Sequence, residues 1–205
     1  AVFWNETDCI SVNGIASESI SIQVDRRSAE FTFLKGFESA LYAAYPASVV
    51  SKYESGALTL LLPNVQTWSE SDQFDPAAAV MLAQAADGAS LRFRHAMAYL
   101  RVTLSEASDP EPIAAVVLSA NDGSALCGAF QATYGSDLWT LTPQESAASQ
   151  VELRCGTQGA PLGSRMVIAI PAGEYAAGLT VQVKDVSGDY QVRKSVNAFT
   201  ATAGR

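Results

Sequence analysis

The stretch Leu179-Thr180-Val181-Gln182-Val183-Lys184 alternates apolar and polar residues with a period of two. The turn motif Ser187-Gly188-Asp189 follows it, and a second alternating run begins at Tyr190. Successive side chains of a β-strand point to opposite faces of a sheet. The pattern therefore predicts two half-buried strands with a turn between them.

The same alternation dominates the rest of the chain. Further alternating runs are Ile20 to Val24, Phe31 to Phe33, Val151 to Cys155 and Tyr190 to Val196. Turn motifs separate the runs at Asn13-Gly14, Asn121-Asp122-Gly123 and Pro171-Ala172-Gly173. Many short strands joined by such turns are typical of an all-β fold, and we predict a β-sandwich.

Two segments depart from this pattern and favour helix. Asp75 to Gly88 begins with an N-cap aspartate followed by proline, is rich in alanine, and ends at glycine,. A weaker helix candidate covers Phe37 to Ala44. It ends before Tyr45-Pro46, because proline disfavours α geometry in the residue that precedes it.

Composition excludes several classes of function. The 205 residues carry a formal net charge of −8, which opposes binding to nucleic acid,. Apolar runs are too short to span a bilayer, and the N-terminal residues lack the regions of a signal peptide. Cys9, Cys127 and Cys155 form no CxxC pair, and their odd number leaves at least one thiol unpaired,. We predict no metal and no cofactor.

The single histidine, His95, lies in the stretch Leu91 to Val102. Leu91 and Phe93 share the parity of His95, whereas the apolar residues after Ala96 have the opposite parity. The apolar face therefore switches near His95, as in a β-bulge or in a strand buried on both faces at its middle. No serine elbow or cysteine nucleophile motif accompanies the histidine, so we predict that the protein is not an enzyme.

Two residue pairs are candidates for contacts with other molecules. Arg26 and Arg27 would suit a trypsin-like processing protease if they lie in an exposed loop, although an ordinary solvated turn has the same composition. Trp68 and Trp139 could be exposed aromatic contacts for a sugar, although large aromatic residues also fill sandwich cores. The second pair leaves a carbohydrate-binding β-sandwich module on the cell surface as the alternative function.

Several phrases, in this order, carry a resemblance to a known family. They are Trp4-x-x-x-Asp8-x-Ile10-x-Val12, Leu41 to Ser48, Leu62-Pro63-Asn64-Val65-Gln66, Leu91 to Val102, and Ile170 to Tyr175 running into Leu179-Thr180-Val181. Together they resemble the fimbrillin family of Bacteroides-type pili and surface adhesins, particularly its N-terminal domain. The similarity runs across most of the chain.

The resemblance implies a transthyretin-like β-sandwich with one or two short helices, in a single domain spanning residues 1–205. It implies that the family's first strand and its C-terminal domain are not part of this chain. It also implies an extended segment at Met81-Leu82-Ala83, which leaves helix or strand open over Asp75 to Ala86.

The function that the resemblance implies is structural. Such proteins are secreted as lipoprotein precursors and displayed on the outer membrane as fimbriae. They assemble by donor-strand exchange, in which a strand of a neighbouring subunit fills the groove left by a removed N-terminal strand. The expected partners are other pilus subunits, and a surface receptor or glycan of the host or of another bacterium. A shaft, a tip and an anchor role share this fold.

Overall fold

The computed structural model describes residues 3–37, 40–71, 74–86, 90–104 and 111–205. The regular structure in these ranges consists of β-strands and two short 3-10 helices, at Ala47–Val49 and Pro76–Ala78. The all-β prediction is confirmed. Among the described residues, neither helical turn has the length or the hydropathy of a membrane-spanning helix.

The strands are numbered in chain order. The first ten are β1 Ser11–Val12, β2 Ile15–Ala16, β3 Ser19–Ile22, β4 Ala29–Thr32, β5 Leu41–Tyr45, β6 Val50–Glu54, β7 Ala57–Leu62, β8 Val65–Thr67, β9 Met81–Ala85 and β10 Arg94–His95. The others are β11 Met97–Val102, β12 Ile113–Ala120, β13 Gly128–Gly135, β14 Leu138–Pro143, β15 Gln150–Arg154, β16 Met166–Pro171, β17 Gly173–Tyr175, β18 Leu179–Asp185, β19 Tyr190–Lys194 and β20 Phe199–Ala201.

The chain divides into two compact units, each built from several segments. Unit 1 consists of Ala1–Leu61, Val80–His95 and Phe130–Thr142. Unit 2 consists of Leu62–Ala79, Ala96–Ala129 and Pro143–Arg205. Each unit is described by itself below.

Unit 1 contains a five-stranded sheet in the order β10-β9-β5-β1-β2. A four-stranded sheet, β14-β13-β7-β6, lies for the most part in the same unit. Strands β3 and β4 pair with each other as an antiparallel hairpin. One face of the five-stranded sheet carries a buried apolar cluster that includes Ile10, Val12, Leu41, Tyr45 and Met81.

Unit 2 is a sandwich of a five-stranded sheet, β19-β18-β12-β15-β8, and the two-stranded sheet β11-β16. Val116, Leu118 and Leu153 from the larger sheet share one buried cluster with Ile168 and Ile170 from the smaller one. β18 and β19 pair antiparallel, as the alternation on either side of the turn predicts, but only β18 is partly buried, because all five residues of β19 are exposed. Strand β8 runs parallel to β15, whereas the other strand pairings described in unit 2 are antiparallel.

The helix predicted over Asp75 to Ala86 is wrong, and the extended alternative is confirmed. The Asp75 carboxylate accepts a hydrogen bond of 2.9 Å from the Ala77 N–H, but the helix it caps is only the 3-10 turn Pro76–Ala78. Strand β9 follows and pairs with β5 and with β10. Ladder pairing along both edges of β9 outweighs the modest helix propensity of its alanines.

The helix predicted over Phe37 to Ala44 is also wrong where the structure describes it. Leu41 begins strand β5, which pairs with β1 on one side and β9 on the other. Residues 38 and 39 lie outside the described part of the chain. The short apolar run at Leu41 is therefore a buried strand, which periodicity alone does not distinguish from a helix.

The switch of apolar parity near His95 marks a change of sheet. Arg94 and His95 form β10, which pairs with β9 in unit 1. After Ala96 the chain enters β11, which pairs with β16 in unit 2. The apolar face changes because β10 belongs to unit 1, whereas β11 packs on the core of unit 2. The switch is therefore not a bulge within a single ladder.

Candidate functional site

Unit 1 contains an open groove of about 920 Å³, which we call the unit 1 groove. Its lining combines apolar and polar residues, namely Trp4, Ile10, Val12, Arg27, Ser28, Ala29, Glu30, Phe31, Phe33, Phe37, Leu41, Met81, Ser90, Leu91, Arg92, Phe93 and His95. All of these residues belong to the described part of unit 1. It comes from segments that are far apart in the sequence.

The floor of the unit 1 groove is one face of the five-stranded sheet. Val12 on β1, Leu41 on β5 and Met81 on β9 are all buried there, and Ile10 precedes β1 on the same face. Alternate residues of each strand share a face, so a few short strands supply a continuous apolar surface. These floor residues are only 1–5% exposed, so the accessible apolar surface of the groove belongs to partly exposed lining residues such as Phe33, Phe37 and Leu91.

The groove has two walls, which meet at Trp4. One wall is the β3–β4 hairpin with Phe31, and the other is the segment 90–95 with Phe93. The ring centroid of Trp4 lies 5.1 Å from that of Phe31 and 5.8 Å from that of Phe93, both edge to face. Such aromatic pairs each contribute about 0.5–1.5 kcal/mol beyond their buried area, so Trp4 stabilises both walls.

The N-terminal segment also holds the tip of the hairpin. The Trp4 N–H donates to the Arg26 carbonyl at 2.9 Å, and the Arg26 side-chain Nε donates to the Trp4 carbonyl at 3.1 Å. Arg26 Nη2 also donates to the side-chain oxygen of Asn5. Arg26 has a φ of 56°, a left-handed conformation that is uncommon outside glycine,. The hairpin wall is thus fastened to Trp4 by main-chain and side-chain bonds.

Asp8 connects this segment to the floor. Its Oδ1 accepts a 2.8 Å hydrogen bond from the hydroxyl of Tyr45, and its Oδ2 accepts a 2.7 Å bond from the Asn5 N–H. Trp4 packs edge to face on the Tyr45 ring, with centroids 5.4 Å apart. The phrase Trp4-x-x-x-Asp8 and the phrase around Tyr45 therefore build one structural corner of the groove.

His95 lines the groove and is half-buried. Burial lowers its pKa, which favours the neutral imidazole at neutral pH,. The part of the chain that the structure describes contains no group of three or more His, Cys, Asp or Glu side chains placed to hold a metal ion. The apolar side chains in its lining suit the groove to binding through apolar contacts.

Arg26 and Arg27, the candidate processing site, lie in the exposed turn between β3 and β4. The neighbouring Val24 is completely exposed, so the turn projects into solvent. Arg26 is engaged with Trp4, whereas Arg27 belongs to the lining of the groove. Cleavage at this turn stays a prediction.

Trp68 and Trp139 are each half-buried and engaged within their own units. In unit 2, Trp68 packs against the core and its Nε1 donates to the Arg165 carbonyl at 3.0 Å. In unit 1, the Trp139 ring centroid lies 6.3 Å from that of Tyr42 and 5.4 Å from that of Tyr134. Their role as sugar contacts stays a prediction.

The resemblance implied a groove, but the sequence predictions did not identify the residues that line it, although two signals point to them. Phe31 and Phe33 occupy alternate positions in the β3–β4 hairpin, and Leu91 and Phe93 repeat this spacing before the parity switch. A hairpin with one aromatic face needs an apolar surface to cover. Which surface it covers depends on β-sheet pairing between distant segments, and no local pattern specifies that pairing.

Comparison with solved structures places the fold among known proteins. The chain is similar to a candidate cell adhesion protein from Bacteroides uniformis ATCC 8492, with a TM-score of 0.58 and 13% identity over 98% of this chain and 84% of that chain. It is also similar to a candidate cell adhesion protein from Bacteroides ovatus ATCC 8483, with a TM-score of 0.52 and 13% identity over 96% and 80% of the two chains. No family model matches the sequence, and no curated protein matches it. At this identity the likeness establishes a shared fold.

Proposed function

We propose that this protein is a non-catalytic subunit of a fimbria, or a surface adhesin, that assembles by donor-strand exchange and supports cell adhesion. The observation that carries the proposal is the unit 1 groove, with its apolar floor and its solvent opening. The two similar structures support it, since both belong to candidate cell adhesion proteins of Bacteroides. Under this proposal the protein is displayed on the outer membrane as part of a fimbrium, after secretion as a lipoprotein precursor.

The physical basis of the proposal is β-strand addition. A strand that enters the groove would gain main-chain hydrogen bonds from an exposed sheet edge and would place alternate side chains on the floor. Strands β10 and β2 are the edges of the sheet that forms this floor. Because β10 carries His95 and lies in the lining, its edge is where we place the added strand.

The apolar surface of the groove makes an occupant favourable. Phe33 and Phe37 contact each other edge to face, with centroids 5.1 Å apart, and are themselves partly exposed. Burying apolar surface contributes about 25 cal/mol per Å². A strand from another pilus subunit would cover this surface, and a receptor or glycan would then be bound elsewhere on the assembled fibre.

The carbohydrate-binding alternative has weaker support. A sugar platform needs aromatic ring faces that are open to solvent, and Trp68 uses its indole N–H for a bond to Arg165. Trp139 packs against Tyr42 and Tyr134 in unit 1. Strand addition is therefore the function that we propose.

A thermal-shift experiment tests the proposal. Synthetic nonapeptides with apolar residues at every second position are added to the full chain, next to scrambled peptides of identical composition in which the apolar residues are contiguous. We expect one or more alternating peptides to raise the melting temperature by several degrees at saturation, because a ligand that binds only the native state stabilises it. If no alternating peptide exceeds its scrambled control, the proposal is wrong.

A further inference from the structure

The charges around the unit 1 groove differ in sign from those of the protein as a whole. The chain has a formal net charge of −8, but the charged lining consists of Arg27, Arg92 and one carboxylate, Glu30. Both arginines are exposed. Neither takes part in the ion pairs found among the described residues, which are Lys52–Glu54 and Arg154–Glu152. Asp25, in the same turn as Arg27, accepts a 2.9 Å bond from the main-chain N–H of Arg27.

The two arginines lie on different walls of the groove. Arg27 belongs to the hairpin wall, and Arg92 belongs to the segment 90–95. Each of these segments contacts Trp4, through Phe31 in one and Phe93 in the other. The groove therefore presents arginines from two separate segments to whatever occupies it.

We infer that the strand that fills this groove is acidic, with apolar side chains at alternate positions facing the floor and carboxylates that reach Arg27 and Arg92. This inference rests on the proposed function, since it names the partner of the same groove. Arginine is suited to this role because its planar guanidinium binds a carboxylate through two parallel hydrogen bonds. The apolar positions supply affinity, and the carboxylates supply register and selectivity.

The size of the expected effect follows from the exposure of the arginines. Exposed ion pairs are weak and are screened by salt, so two of them give a preference of about three- to tenfold. The preference is expected to shrink at high ionic strength, where the Debye length falls to about 3 Å. Affinity that depends only on apolar contacts would not shrink in this way.

The test starts from the alternating peptide that stabilises the protein most. Two versions are made that differ only at their ends, with two glutamates in one and two lysines in the other, and their affinities for the full chain are measured by fluorescence anisotropy. We expect the acidic version to bind about three- to tenfold more tightly at low salt and the difference to fall below about twofold at 1 M salt.

Charge-reversal variants assign the preference to the groove. The double variant Arg27→Glu/Arg92→Glu should reverse it in favour of the lysine peptide, whereas the control Arg193→Glu, on the exposed strand β19 of unit 2, should leave it unchanged. All three positions are exposed, so the variants are expected to keep the wild-type melting temperature within a few degrees,.

The outcomes separate this inference from the proposed function. Equal affinities of the two peptides for the wild type, or a preference that the double variant does not alter, would overturn the inference and leave strand addition intact. A lysine peptide that binds more tightly would also overturn it. Failure of every peptide to bind would overturn both.

Discussion

The side chain of Gln66 and the main chain of Ala169, which are 103 residues apart in sequence, exchange two hydrogen bonds inside unit 2. The Gln66 Nε2 donates to the Ala169 carbonyl at 2.7 Å, and the Ala169 N–H donates to the Gln66 Oε1 at 2.9 Å. Both residues are about 1% exposed. The carboxamide thus takes the place of a neighbouring strand for one residue of β16, and it joins the two sheets of this unit.

Replacing Gln66 with leucine is expected to be strongly destabilising. Gln66→Leu replaces the carboxamide with an apolar side chain of similar size and leaves the N–H and C=O of Ala169 unpaired in a buried site. Each unsatisfied group there costs about 1–3 kcal/mol. We expect urea unfolding to report a loss of about 2–4 kcal/mol. The control Gln191→Leu, on exposed β19, should change stability by less than about 0.5 kcal/mol,. Equal effects of the two substitutions would contradict this role of Gln66.

Gly178 is expected to tolerate no side chain. Its φ is +73°, and a Cβ atom there would lie 2.3 Å from the carbonyl oxygen of Ser195. Gly188 has a φ of +96° but has open space around the same position. We expect Gly188→Ala to cost about 1–2 kcal/mol from backbone conformation alone and Gly178→Ala to cost roughly 1–3 kcal/mol more. Comparable unfolding free energies for the two variants would show that the close approach to Ser195 is unimportant.

Stability is expected to fall as the pH drops through the titration range of His95. Burial lowers the pKa of His95 in the folded state, so the unfolded chain takes up a proton first and is favoured as the pH falls below about 6.5,. His95→Gln should remove the decrease between pH 7.5 and pH 5.5 in urea unfolding. The carboxyl groups of Glu54 and Asp122, whose pKa values are lowered by hydrogen bonds, act at lower pH. A variant that follows the wild-type curve would contradict the prediction.

The thiols of unit 2 are expected to be unreactive in the native protein. All three cysteines are free, and burial raises the pKa of the Cys155 thiol to about 11 and also raises that of Cys127. At pH 8 only about 0.1% of Cys155 would be the reactive thiolate. Mass spectrometry after brief iodoacetamide treatment should find these two cysteines modified only in denaturant. Native modification of Cys155 at the rate of the half-buried Cys9 would be inconsistent with this burial.

The local patterns predicted the strands best where a strand packs on a single core. Alternation around Val181 predicted β18, which packs on the core of unit 2, and alternation around Val192 predicted β19, although all residues of β19 are exposed. The same rule described residues Ala98 to Val102, which pack on the same core. Local propensity failed at Met81 to Ala85, where alanines form a strand because two neighbouring strands pair with it.

The site was harder to predict than the strands. Trp4 and Phe93 meet through a fold that brings residues 89 positions apart into ring contact, and no spacing rule encodes that contact. Gln66 appeared in the sequence as an ordinary polar residue of the phrase Leu62-Pro63-Asn64-Val65-Gln66, although it is among the most buried polar residues described. Contacts of this kind depend on sheet order, which is a property of the whole chain.

The most direct test of strand addition is amide hydrogen exchange of the full chain with and without the best alternating peptide. Binding in the unit 1 groove predicts slower exchange at Ile10 to Val12, at Ala29 to Phe33 and at Leu91 to His95, because the added strand would cover the floor, both walls and the edge of β10,. Strand β19 in unit 2 should exchange at the same rate in both samples. Protection confined to β19, or no change at the three groove segments under saturating peptide, would contradict the account.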